Sequence, residues 1–165
     1  MTILALKRAI NIALKDWNHD NSKASFHYAF AIKNNKILAW GKNNETAGSK
    51  FALKIGHMWN IEKWKNYPYL HAECDVLSKL DLSKIDESIS VLSIRINRDG
   101  KFRIAKPCPN CEKALKMANV KRIWWSETDM VNENLILRTY ENDVYEFKRL
   151  GKIKRRSCEE AFQWN

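Results

Sequence analysis

Long apolar runs are missing from this 165-residue chain. No stretch approaches the ~18 consecutive apolar residues that a membrane-spanning helix needs. The apolar start, MTILALKRAINIALKDW, is interrupted by Lys7, Arg8, Lys15 and Asp16. That pattern makes an amphipathic helix rather than the unbroken hydrophobic stretch of a signal peptide. The expectation is a soluble, cytoplasmic protein with no membrane partner. Glycine and proline are scarce, at five and three residues. No Pro/Gly/Ser-rich linker, low-complexity block or internal repeat divides the chain, so one domain over residues 1–165 is the simplest organisation. Seven Trp, six Phe and five Tyr, in a chain that is 45% hydrophobic, supply a core that forms without covalent staples.

Cysteine is limited to Cys74, Cys108, Cys111 and Cys158. Without a secretory signal, two of them at C-x-x-C spacing suggest metal or redox chemistry more than a disulfide framework. Acidic residues are in deficit, 19 against 29 Lys and Arg, for a net charge of +10. Such a balance favours an anionic partner: a nucleotide, a nucleic acid or a phosphate-bearing surface. Six cations fall in the nine positions 148–156, KRLGKIKRR. They head a basic C-terminal segment, 148–165, that reads equally as a solvated charge run or a nucleic-acid contact.

Periodicity sketches an α/β chain. Leu4, Leu6, Ile10, Ala13, Leu14 and Trp17 recur at helical spacing. Ser25 to Ile32 and Lys36 to Trp40 read as strands around an Asn34-Asn35 hairpin turn. Residues 43–69 read as a long loop with some helix. A helix is expected from about His71, ending before Asp86. Ser90 to Ile96 alternates like a strand, and Arg98-Asp99-Gly100 turns it into KFRIA. A further helix runs from Pro107-Cys108-Pro109-Asn110-Cys111 to about Asn119. Lys121–Trp125, Leu135–Tyr140 and Val144–Phe147 look extended. Helices interleaved with strands imply a sheet with helices packed on its faces. Too few residues separate Ser126 from Leu135 for a parallel crossover, which takes a dozen or more. The last strand pair should therefore be antiparallel.

Two motifs carry chemistry, each at a predicted helix start: His71-Ala72-Glu73, and Pro107-Cys108-Pro109-Asn110-Cys111 about 35 residues later. Two thiolates and one imidazole suit a three-ligand Zn²⁺ site that keeps a fourth position for water. Cysteines in the first turn of a helix gain from the positive end of its dipole, which favours thiolate. Water on zinc loses much of its proton affinity, and Glu73, two residues from His71, is placed to take its proton. Either motif alone is weak. Their combination, H-x-E followed by P-C-x-x-C with a strand between, is the signature of zinc nucleobase deaminases.

On these motifs the chain resembles the cytidine deaminase-like superfamily over roughly residues 25–126. The resemblance implies a three-layer α/β/α sandwich around a mixed five-stranded sheet and one catalytic zinc per chain. It implies His71, Cys108 and Cys111 as ligands and Glu73 as proton shuttle. It also implies substrate contacts at Ala72 and at Asn43, in a Gly41-Lys42-Asn43 pattern after the second strand, with Asn44 a competing candidate. Many relatives are dimers or tetramers, so a homo-oligomer is a further expectation.

The expected reaction is hydrolysis of cytosine to uracil in a (deoxy)cytidine nucleotide or in single-stranded nucleic acid. Two alternatives stay open: an adenosine deaminase acting on tRNA, and a zinc-stabilised nucleic-acid-binding module without turnover. The antiparallel last pair looks like the cytidine branch and some polynucleotide-directed deaminases, whereas His71 is seen more often in the other branches. If Cys74 were a fourth ligand, the site would be closed and purely structural. Cys74 and Cys158 are otherwise assigned no role. His19, His27 and His57 read as satisfied surface or core histidines. Trp124 and Trp125 should point to opposite faces of their strand, the outer ring being a candidate wall for a base. Trp59 and Trp64 read first as core and second as stacking platforms.

Overall fold

The computed structural model describes residues 2–19, 25–128, 135–141, 144–149 and 162–163. Most of the basic segment 148–165, Cys158 included, lies outside the described residues.

Helix α1 (Ile3–His19) buries Ala5, Leu6, Ala9, Ile10, Ala13, Leu14 and Trp17. That spacing is one continuous stripe of a 3.6-residue helix, while Leu4 lies on the solvent side. Strands β1 (Ser25–Lys33) and β2 (Lys36–Lys42) form the expected hairpin, with Lys33 opposite Lys36. Asn34 and Asn35 both take positive φ, 49° and 64°, as a type I′ turn requires and Asn tolerates.

The stretch expected to be mostly loop is largely regular. It holds β3 (Asn44–Gly48), α2 (Lys50–Met58), α3 (Glu62–Asn66) and β4 (Tyr69–Leu70). Ser49 caps α2 by accepting from the Ala52 N–H, a local signal in the sequence. Two-residue β4 exists because β3 pairs with it, which no periodicity could reveal. Helix α4 (Ala72–Ser78) is shorter than expected, and a separate 3₁₀ turn follows at Leu82–Lys84. Strand β5 (Ile89–Asn97) turns through Gly100, φ 75°, into β6 (Phe102–Arg103). Helix α5 (Pro109–Met117) leads to β7 (Arg122–Thr128), then β8 (Leu135–Thr139), β9 (Val144–Arg149) and β10 (Phe162–Gln163).

The main sheet runs β10-β9-β8-β7-β5-β1-β2, with β6 also on β5. Among the described strands only β5–β7 is parallel, its crossover carrying α5, and β7–β8 is antiparallel as expected. The sheet is mixed, but it has eight strands rather than five. The five expected are its centre, β2-β1-β5-β7-β8. Outside that centre lie β6, β9 and β10; the KFRIA return and the Val144–Phe147 stretch were expected to be extended, and β6 buries Phe102 in the core under α1.

Helix α1 covers one face over Phe26, Tyr28, Phe30, Leu92, Ile94 and Trp124. Helices α2 to α5 cover the other over Ala29, Ala31, Val91 and Ile123. This is the expected three-layer arrangement. The two faces of β1 differ in size, with bulky side chains toward α1 and alanines toward α4. Gly41 in β2 continues that shallow floor. A Cβ there would lie 2.6 Å from the Val76 nitrogen, 2.8 Å from the Ala72 oxygen and 2.8 Å from Asp75 Cβ. The Asp75 carboxylate also accepts from the Lys42 N–H at 3.0 Å. Backbone of α4 therefore rests directly on backbone of β2.

Gly41→Ala should destabilise the protein by about 1–3 kcal/mol, the usual cost of overpacking against groups that cannot yield. Gly48 has nothing within 4 Å of the equivalent position, so Gly48→Ala should change stability by no more than about 0.5 kcal/mol. Equilibrium denaturation of both variants checks the contrast; equal effects would show that α4 does not sit on Gly41.

Candidate metal centre

Three side chains meet where α4 and α5 begin. His71 is the N-cap of α4, Cys108 is the N-cap of α5, and Cys111 lies in the first turn of α5 behind Pro109. Proline suits that first position because its φ is already helical and no N–H is wasted. The donor atoms of His71, Cys108 and Cys111 all lie within 4.8 Å of one another. His71 Nδ1 stands 3.8 Å from Cys108 Sγ and 3.3 Å from Cys111 Sγ. A tetrahedral zinc site with ordinary bond lengths would separate nitrogen from sulfur by about 3.6 Å, so the two distances straddle the ideal edge. The donor set fits a metal ion.

Protonation fits as well. A hydrogen bond from Cys111, aided by His71 and opposed by burial, holds the Cys108 thiol down at about 3. The hydrogen bond with Cys108 raises His71 against the pull of burial. Cys111 is pushed well up by donating to Cys108 and by burial. The two thiols are thus driven in opposite directions, Cys108 toward thiolate and Cys111 toward the protonated form.

Cys74 takes no part. It is fully buried among apolar side chains, and burial pushes its thiol up to about 12. Among the described residues the metal-competent group is His71, Cys108 and Cys111 alone, so Cys74 does not close the site.

Glu73 is buried on the first turn of α4 and accepts from the Ser93 hydroxyl at 2.9 Å. Burial raises its pKa, partly offset by the Ser93 hydrogen bond and the His71 charge. Ser93 comes from β5 and was not legible as a site residue. It is a polar residue on the face that carries Ile89 and Val91, and only the packing of α4 shows what it meets.

His71 and Ala72 open onto a cavity of about 450 Å³ that is also lined by His27, Asn43, Tyr69 and Leu70. Asn43 and Ala72 are thus brought beside the donors. Asn44 is not among the described lining residues, and its backbone pairs with Leu70. The Asn43 side-chain oxygen accepts from the His27 N–H at 3.0 Å, and the Asn43 N–H donates to the His27 carbonyl at 3.1 Å. His27, expected to be an ordinary histidine, faces the site instead. Burial lowers it to about 4, with help from the Arg95 and His71 charges, which makes it a neutral imidazole at physiological pH. The signal was its phase in β1, opposite to Phe26, Tyr28 and Phe30.

Trp124 lies in the α1-side core and Trp125 on the other face, as expected. The Trp125 ring meets Tyr140 at 4.8 Å, with Lys106 Nζ over both rings. Trp64 is core, and Trp59 packs against the same cluster.

No protein-family model matches the chain, and no curated protein does. Solved structures do. The chain is similar to a dCMP deaminase. That enzyme, from the cyanophage S-TIM5 in its apo form, is 23% identical over 76% of this chain and 86% of its own, with a TM-score of 0.42. A likeness this loose transfers neither a substrate nor a residue role. No helix among the described residues is long and apolar enough to cross a membrane.

The purified protein should hold one zinc per chain. His71→Ala or Cys108→Ala should weaken zinc binding by more than the roughly 10–100-fold typical of a lost outer-shell hydrogen bond, while Cys74→Ala should leave the stoichiometry unchanged. Because protons raised on Cys111 and His71 must leave before both can ligate, apparent zinc affinity should fall as pH falls. Competition with a chromophoric chelator across pH reads both effects; loss of zinc in Cys74→Ala would redraw the ligand set.

Proposed function

We propose that the chain is a zinc-dependent hydrolytic deaminase that converts cytosine to uracil in a nucleotide or in single-stranded nucleic acid. The observation that carries this reading is one buried carboxylate, Glu73, beside a His-Cys-Cys donor set whose His71 lines a cavity of about 450 Å³. Zinc held by His71, Cys108 and Cys111 would supply Lewis acidity and lower the pKa of water at the open fourth position.

The remaining work falls to the chain's own side chains. Glu73 takes a proton from water as that water adds to C4 of the ring, and hands it to N3. It then takes the proton of the hydroxyl now on C4 and delivers it to the amino group. The C4–N bond breaks, ammonia leaves, the hydroxyl oxygen becomes the carbonyl, and water and cytosine become uracil and ammonia. Burial gives Glu73 the raised proton affinity that such shuttling needs near neutral pH. The Ser93 hydroxyl holds its carboxylate in one orientation. Ala72 at the start of α4 borders the space for the base. Asn43, fixed by two hydrogen bonds to His27, offers the amide group that orients the base or its sugar. The antiparallel β7–β8 pair is the arrangement of the cytidine branch and of some polynucleotide-directed deaminases, and counts against the deoxycytidylate branch as well as the tRNA adenosine branch.

Ammonia release should be detectable from at least one member of a panel of dCMP, cytidine, single-stranded DNA and tRNA. Glu73→Gln should lower turnover by roughly 10²–10⁴-fold, the usual worth of a general acid–base, with zinc content unchanged. Mass spectrometry of the products identifies the base that was altered. Full activity in Glu73→Gln would remove the proton shuttle from this site, and no turnover of any substrate by the zinc-loaded protein would leave a binding module.

A further inference from the structure

Beyond the metal centre, three cationic or imidazole side chains stand in register across three strands. His27 on β1 pairs with Arg95 on β5, and Arg95 pairs with Arg103 on β6. Phase places all three on the face of the sheet that carries the site. Their neighbours Phe26, Ile96 and Phe102 belong to the opposite core under α1, and Ser93, two residues before Arg95, reaches Glu73. His27 lines the cavity, and the Arg95 charge is close enough to depress its pKa. The row therefore begins at the cavity.

Two arginines directly opposite one another on paired strands repel. Nothing described neutralises these two. The Arg95 Nε donates to the Ser25 hydroxyl at 2.8 Å, which orients its guanidinium. Neither arginine forms an ion pair among the described residues. By contrast, Arg138 forms an ion pair with Glu127 at 2.6 Å. The backbone beneath the pair is nevertheless held firmly. Fully buried Ser126 accepts from the Arg95 N–H at 3.0 Å and donates to the Arg103 carbonyl at 2.9 Å. One hydroxyl thus ties both strands at the level of the two charges. Both arginines are half-buried, where attraction to an anion is screened less than at an open surface.

We propose that Arg95 and Arg103 form a subsite for the phosphate carried on the sugar of the substrate base. The proposal rests on the deaminase reading for the identity of the base, but the phosphate site itself stands on the arginine pair. Guanidinium groups match phosphate oxygens with two parallel N–H donors. Terminal nitrogens of Arg95 and the whole guanidinium of Arg103 have no described protein partner, so the pair offers several such donors. His27 is paired with Arg95 and lines the same cavity as His71, so it adjoins both the subsite and the metal donors. The shared chemistry is a phosphate ester, from either a mononucleotide or a single-stranded polymer. Free nucleosides lack it and should bind poorly.

The test is equilibrium binding by calorimetry to the zinc-loaded Glu73→Gln protein, using dCMP, deoxycytidine and a single-stranded deoxycytidine oligonucleotide as probes. dCMP should bind roughly 10–100-fold more tightly than deoxycytidine, the worth of charge-assisted hydrogen bonds. Arg95→Gln or Arg103→Gln should erase most of that ratio, and Arg103→Lys should restore only part of it. Circular dichroism and thermal melting of the variants separate misfolding from loss of the subsite. If the oligonucleotide but not dCMP outbinds the nucleoside, and the arginine variants abolish that gain, the phosphate is a polymer's and the proposal holds. Equal binding of dCMP, oligonucleotide and deoxycytidine overturns it, even if cytosine is deaminated. Arginine-dependent dCMP binding by a wild-type protein that deaminates nothing would uphold the subsite and sink the deaminase reading.

Discussion

The contact on which the site depends is backbone against backbone: α4 lying on β2 at Gly41, with Ala29 and Ala31 of β1 as the rest of the floor. Small residues let the helix axis approach the sheet more closely than ordinary side chains permit. That approach carries His71 and Glu73 down to the sheet, where Glu73 meets Ser93. Raising α4 by the thickness of a methyl group would break this hydrogen bond and move the imidazole from the two thiols. The carboxylate of Asp75 on the Lys42 N–H keeps the helix from sliding along the strand.

Helix α5 arrives by a different route. It is the crossover between the parallel strands β5 and β7, so its start must lie near the C-terminal edge of β5. Pro109 and the N-cap Cys108 place the first turn there. Two helix starts meeting at one sheet edge concentrate unpaired N–H groups and positive dipole ends. Such a place favours thiolate at Cys108. It also lowers the cost of keeping the Glu73 carboxylate beneath the surface. Burial works the other way, raising the proton affinity of Glu73 and Cys111. The site balances these opposed effects, and the direction differs from residue to residue because depth differs.

The opposite face shows how little of this is needed for folding alone. Helix α1 packs there with bulky residues on both sides, Trp17, Phe30, Tyr28 and Leu92 among them. It carries no glycine floor. The chain separates a face built for cohesion from one built for close approach, and all the candidate chemistry lies on the second.

The amphipathic stripe of α1, the Asn34-Asn35 hairpin and the antiparallel β7–β8 pair could all be read from residue order, because each depends on neighbours close in the chain. The three donors and Glu73 could be read as well, since their spacing marks a chemistry that few other patterns share. What stayed hidden depends on partners far along the chain. Strand β4 is two residues long and exists through pairing; residues 43–69 were read as a long loop with some helix, without the bounds of α2 and α3, because these are short helices between turn residues. His27, Ser93, Arg95 and Arg103 are ordinary strand residues until register brings them into line. Local sequence determined which atoms could hold a metal and move a proton, because helix starts and ligand spacing are short-range properties. Only the tertiary structure decided which strand residues surround those atoms, because strand order and register are set by the packing of the whole sheet.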